Sequence, residues 1–298
     1  LRRPRRRWRA RRVVVSGGVV GTLDLLYRSR ERGGLPRLSP TLGRRVRTNS
    51  EAILAADAPW GSDSLDDHVA ITSGVQVDER THLEMVRLNR GSDALFWLTA
   101  PLCRSGRRRS GLLGLLATVL RHPLRLLKGL WPFGRAERTG ILLAMQDTEG
   151  HLTLEHRRRW WRLGRRALGS RLPPGEVPPV AHIPLADEAA QGLARALGGQ
   201  AWTTWPDTVL GAPVTAHILG GCRMADSPER GVVDFRGEAF GHPGLYVVDG
   251  SVVPVNLGVN PALTITALAE YLMSGIPVAG ETDGSASRGA TGEPTGPS

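Results

Sequence analysis

Lysine is almost missing from this chain. Of its 39 basic residues only Lys128 is lysine, and the rest are arginine. Set against 28 acidic residues, they leave a net charge of +11. Such a charge invites nucleic-acid or anionic-membrane readings. A bias to arginine this complete instead points to the coding preference of a GC-rich genome. Nucleic acid is therefore not an expected partner. Residues 1–12 are mostly arginine and carry only Trp8 among aromatics, so they read as a solvated, disordered segment. Cysteine is nearly absent. Cys103 and Cys222 define no disulfide framework and no zinc site. No unbroken apolar run is long enough to span a bilayer, and no signal peptide is visible, so the expected location is cytoplasmic. An initial methionine is also lacking: the chain opens on Leu1, which reads as a fragment or a miscalled start.

What is present is a globular composition. The chain has 298 residues, 41% of them hydrophobic, enough for one large or two ordinary domains. Val13–Val15 reads as a short buried strand. Ser16-Gly17-Gly18-Val-Val-Gly21-Thr22 follows it, and Leu23–Arg30 reads as a helix. Strand, glycines, helix is the setting of a dinucleotide fingerprint. The pattern is nevertheless one glycine short, and no acid ends a second strand about twenty residues on. A full G-x-G-x-x-G is absent. Val69–Val77 and Thr81–Leu88 alternate like strands. Ile141–Gln146, a turn at Asp147–Gly150, and His151–Arg157 read as a hairpin. Pro184–Leu197 reads as an amphipathic helix stopped by Gly198-Gly199. Residues 112–131 are rich in leucine but broken by Arg121, Pro123, Arg125 and Lys128. They read as a lid or core helix that could also rest on a membrane surface. Residues 279–298 have no periodicity and read as a disordered tail.

The chemistry gathers near the C-terminus. His217-Ile-Leu-Gly220-Gly221-Cys222 comes first, and Leu245–Val248 then delivers Asp249-Gly250-Ser251. Asn256-Leu-Gly258-Val-Asn260-Pro261 follows and opens the run Ala262–Glu270. Asn before Pro is a good helix start, because Asn caps free N–H groups and Pro suits the first turn. Such a start favours an anionic cofactor group. The glycines allow close backbone approach to a flat ligand. A neutral imidazole is suited to taking a hydroxyl proton near neutrality, which makes His217 the candidate base. Cys222 reads as a small packed residue, with no base arranged to activate it.

In order and spacing these motifs resemble the C-terminal signature of the glucose-methanol-choline (GMC) flavin oxidoreductases, in their cholesterol oxidase-like branch. The resemblance implies an α/β fold of mixed α+β character. It would be the C-terminal part of an FAD-binding GMC fold, with a substrate domain built on a mixed β-sheet covered by helices. It divides the chain into 13–53 (part of the FAD domain), 54–210 (substrate domain) and 211–278 (the C-terminal FAD and active-site segment). It also implies FAD as cofactor, with Gly17, Asn49, Gly220, Gly221, Asp249, Gly250, Asn260, Pro261 and Ala262 around it. His217 and Asn260 would face the reacting hydroxyl of a bulky apolar alcohol, a sterol in this branch, as hydride passes to the flavin. Glu84, in Thr81-His82-Leu83-Glu84-Met85, resembles the segment bearing the steroid-isomerising glutamate, and His82 beside it is a surface or pocket residue. The electron acceptor, oxygen or another, stays open. Two other readings stand beside this one: a non-catalytic remnant or subunit needing a separate FAD domain, and a basic membrane-surface protein.

Overall fold

The computed structural model describes residues 7–65, 69–102, 116–117, 120–121, 123–124, 129, 131–158, 164, 166–179 and 182–276. Most of the leucine-rich segment 112–131, half of 1–12 and all of the tail 279–298 lie outside the described residues. In chain order the elements are β1 (Val13–Val15), α1 (Gly18–Glu31), β2 (Ala52–Asp57), β3 (Ile71–Gln76) and β4 (Thr81–Val86). Then come β5 (Thr99–Pro101), β6 (Thr139–Gln146), β7 (Thr153–Arg158), β8 (Arg166–Arg171) and α2 (Pro184–Leu197). The last are β9 (Gln200–Thr204), β10 (Leu245–Val247) and α3 (Ala262–Ser274). The fold is mixed α/β. No helix among the described residues is long and apolar enough to cross a membrane.

Six strands form one sheet in the order β3-β4-β6-β2-β9-β5. The expectation of a mixed sheet is corrected here, since every described pairing is antiparallel. Among the described residues, α2 packs on one face of this sheet. Antiparallel sheets tolerate this, because one face can stay open. Leu54, Leu83, Leu142 and Ala144 pack with Ala186 and Ala190 of α2. Ala186, Ala190 and Ala194 recur at a spacing of four and are buried, so the helix backbone can lie close to the sheet. The ends of α2 have local causes. Pro184 sits in its first turn, and Gly198 at φ 69° closes it.

The expected hairpin between Ile141–Gln146 and His151–Arg157 does not form. β6 pairs with β2 and β4, whereas β7 pairs with β8. Tertiary bonds capture the turn between them. Asn256 Nδ2 donates to the carbonyls of Gln146 (2.9 Å) and Thr148 (3.0 Å), and Leu152 bridges to Val46.

A second core joins the chain's two ends. β1 runs parallel to β10, with Val15 opposite Val247. Leu23, Leu26 and Tyr27 of α1 pack here with Val46, Cys222, Val248, Val252 and Leu272. Residues far apart in sequence therefore share one apolar interior. α3 is apolar on most sides, yet among its residues only Leu272 is buried, and Leu263 is 81% exposed.

Candidate active site

The turn at residues 46–51 organises the site. Val46 bridges to Leu152 and Arg47 to Leu219, so this stretch lies against the segment after His217. Asn49 (φ 57°) and Ser50 (φ 43°) then turn through the left-handed region and are buried. That region is uncommon for residues other than glycine, although Asn tolerates it. The turn aims two side chains at two different loops. Asn49 Nδ2 donates to the Val259 carbonyl at 2.8 Å, and its Oδ1 accepts the Gly258 N–H at 3.0 Å. Glu51 accepts the backbone N–H groups of Ala216 and His217 through Oε1. The loop carrying Asn260 thus hangs from Asn49. His217 hangs from Glu51, two residues further on.

Glu51 also holds the imidazole. Its Oε2 lies 2.7 Å from His217 Nδ1, and the two side chains are 0% and 13% exposed. A carboxylate already accepting two backbone N–H groups acts as an acceptor again, so Nδ1 carries the ring proton. Nε2 then keeps its lone pair and has no protein partner among the described residues. This is the geometry of a base oriented by a third group. Sequence reasoning missed Glu51. The available signal was a lone acid directly before the apolar strand Ala52–Ala56, where an acid is carried into the interior.

Other expected site residues have structural partners. Asn260 Oδ1 accepts the Ala262 N–H at 3.1 Å, at the start of α3. Asp249 uses both oxygens internally: Oδ2 accepts from Thr22 at 2.5 Å, and Oδ1 from the Ser251 N–H at 2.8 Å. Thr22 in turn accepts the Gly17 N–H at 3.0 Å. Asp249 therefore braces α1 against the 3-10 turn Gly250–Val252. Gly220 and Gly221 have a packing reason. A Cβ on Gly220 would overlap the Arg45 carbonyl, and one on Gly221 would lie 2.8 Å from Leu23 Cδ1. Burial pushes the Cys222 thiol up to about 12, as expected of a packed residue.

Glu84 is buried in β4, not an exposed strand acid. It pairs across the sheet with Leu143, which pairs with Ile53. Directly paired residues share a face, so Glu84 is on the face opposite α2. Ile53, Ala55 and Ile141 on that face line an apolar cavity of 290 Å³ with Phe96 and Val214. Val214 stands three residues before His217. Glu84 Oε2 has no hydrogen-bond partner, and Oε1 is 3.6 Å from His82 Nε2. His82 is half-buried and bonds Gln76 at 3.2 Å.

The residues present fit one wall of a site for a flat, anionic cofactor such as FAD. α1 and α3 both begin without an acid in their first turn. Gly250 opens a 3-10 turn, so its N–H has no acceptor within that turn. A Cβ on Gly250 would meet Ile265 Cδ1 of α3 at 3.2 Å, while one on Gly18 or Gly21 would meet nothing within 4 Å. Backbone N–H groups and open, side-chain-free surface therefore adjoin each other, which suits phosphate and a ring edge. No cluster of metal-ligating side chains occurs among the described residues.

The family model described as GMC oxidoreductase matches residues 148–269. A cholesterol oxidase of Acinetobacter baumannii is 40% identical over 92% of this chain and 48% of its own length. A cholesterol oxidase of Mycobacterium tuberculosis is 39% identical over 95% of this chain and 49% of its own. A long-chain-alcohol oxidase of Arabidopsis thaliana is 40% identical over 26% of this chain and 9% of its own. The chain thus spans about half the length of the two cholesterol oxidases. Over most of its length, and through the segments that build the site, this chain is similar to members of the GMC oxidoreductase family.

Proposed function

We propose that this chain contributes the proton-accepting side of an FAD-dependent oxidation of a CH–OH group, with a bulky apolar alcohol, foremost a sterol, as substrate. The carrying observation is the buried Glu51 carboxylate 2.7 Å from His217 Nδ1. It leaves Nε2 as a base, three residues along the chain from Val214 in the cavity lining. The names of the long relatives support the substrate class, as does a cavity lined by Ile53, Leu95, Phe96, Leu98 and Ile141. His217 Nε2 takes the hydroxyl proton, and Glu51 steadies the cation that forms. Asn260, fixed through the loop that Asn49 holds, orients the hydroxyl. Gly17, Gly250, Asn260, Pro261 and Ala262 would hold FAD, which when bound supplies the two-electron acceptor. In this reading residues 13–53 and 211–278 form the cofactor-facing body, and 54–210 the substrate-facing one. The test is anaerobic mixing of the FAD-loaded protein with cholesterol or with a small polar alcohol. Cholesterol should bleach the flavin absorbance and the polar alcohol should not. Failure of every apolar alcohol to bleach bound flavin would remove the reading.

Glu84 carries a finer part of this proposal. A buried carboxylate oxygen without a partner, on the cavity face, can move a proton between two carbons of an oxidised sterol. Glu84→Gln should lower double-bond isomerisation by at least about 10²-fold, while oxidation stays within about threefold. The products are separated by ultraviolet absorbance of the conjugated ketone. Equal isomerisation in the variant and the parent would exclude Glu84 from that step.

A further inference from the structure

Arginine has a second use in this fold. Beside the C-terminal end of α1 lies a cavity of 620 Å³, bounded by the loop at residues 40–45, the β7–β8 hairpin and the segment around Arg223. Seven of its lining residues are arginine and three are glutamate. Those acids are partly taken up: Glu31 pairs with Arg166 at 2.9 Å, and Glu155 lies 3.4 Å from Arg171. Glu31 and Asp24 also hold His156. The side chains of Arg44 and Arg45, both exposed, make no hydrogen bond or ion pair among the described residues. The Arg223 side chain bonds the Arg230 carbonyl, at 3.0 Å through Nε and also through Nη2. Its proton affinity is lowered, first by burial and then by Arg45, Arg230 and Arg47, with Asp226 alone opposing them. Arginine thus exceeds acid in this lining, and none of the three glutamates is paired with Arg44, Arg45 or Arg223. Arg45 is also held at φ 55°, an unfavourable conformation for its side-chain type. Strain and uncompensated charge at one place call for an anion.

We propose that this cavity binds a phosphate ester, its oxygens taken by Arg44, Arg45 and Arg223. Planar guanidinium forks match phosphate oxygens two at a time, which a bare chloride cannot use. The cavity extends past these three residues toward the hairpin, leaving room for the organic part of the ester. Two sources share this chemistry, a free phosphate ester and a phospholipid headgroup. The inference does not rest on the oxidation proposed above. It does have a structural consequence for that site, because the chain runs from Arg45 straight into Asn49 and Glu51.

The experiment uses the 298-residue chain. Its thermal midpoint is followed against glycerol 3-phosphate, with sodium chloride at matched ionic strength as control. Binding is also measured to phosphatidylcholine vesicles with and without phosphatidic acid. A saturable rise in midpoint with glycerol 3-phosphate but not chloride supports a free ester. Sedimentation with phosphatidic acid vesicles alone supports the headgroup. In either case the double variant Arg44→Gln/Arg45→Gln should weaken binding by at least about tenfold. Both side chains are exposed, so the fold should persist. Arg171→Gln on the hairpin provides an independent check and should weaken binding in the same direction. Equal effects of phosphate and chloride with no vesicle binding, or binding unchanged in both variants, overturn the proposal.

Discussion

Glu51→Gln should lower turnover by about 10²–10⁴-fold, the contribution of a general base, with the upper end matching the loss seen when a histidine base is left in the wrong tautomer. The reason is geometric. The N–H groups of Ala216 and His217 both point at Oε1, so the amide oxygen of a glutamine must stay there. That places its NH₂ against His217 Nδ1, where Oε2 now lies 2.7 Å away. Nδ1 must then accept, and the ring proton moves to Nε2. An Nε2–H imidazole cannot receive the substrate proton. Nitrogen-15 spectra of the ring should report an Nδ1–H form in the parent and an Nε2–H form in the variant. Full turnover with a switched tautomer would remove His217 as the base. An unswitched tautomer would remove Glu51 as its positioning residue.

His217→Ala should have a comparable effect on rate, a loss of about 10²–10⁴-fold, because the base itself is gone. The fold should survive. Glu51 keeps its two backbone donors at residues 216 and 217, so its buried charge is not left without partners. The stability cost should be about 1–3 kcal/mol, one charge-assisted hydrogen bond. Turnover of the holoenzyme with an apolar alcohol, together with a thermal melt, checks both parts. A variant within twofold of the parent rate would exclude proton removal by this imidazole.

These two side chains show unevenly how much the sequence discloses. His217 stands out in the linear chain because glycines, a strand-end acid and a helix start follow it in order. Glu51 does not stand out, since nothing local separates it from any acid before a strand. Its role appears only when the bridge between Arg47 and Leu219 brings residues 216 and 217 beside it. Asp249 shows the converse. Its sequence setting points to a cofactor contact, and the structure adds an internal role that the sequence does not display, accepting from Thr22 and Ser251. Gly220 and Gly221 are similar, because what they admit is the chain's own: the Arg45 carbonyl at Gly220 and the Leu23 side chain at Gly221.

Local signals by themselves determined α2 from its proline start to its glycine stop, the strand at Val13–Val15, β4 around Glu84, and the order of motifs that marks the family. Each rests on interactions within a few residues. Only the tertiary structure decided which strands pair, that the sheet is antiparallel, and why β6 and β7 do not make a hairpin. It alone decided that Asn49 and Glu51 hold the loops of Asn260 and His217. Those outcomes depend on contacts between residues distant in the chain, more than a hundred positions apart for Glu51 with His217 and Asn256 with Gln146. Closing loops of that length is governed by the whole core and by the need to pair every buried polar group, and no short stretch of sequence contains that information.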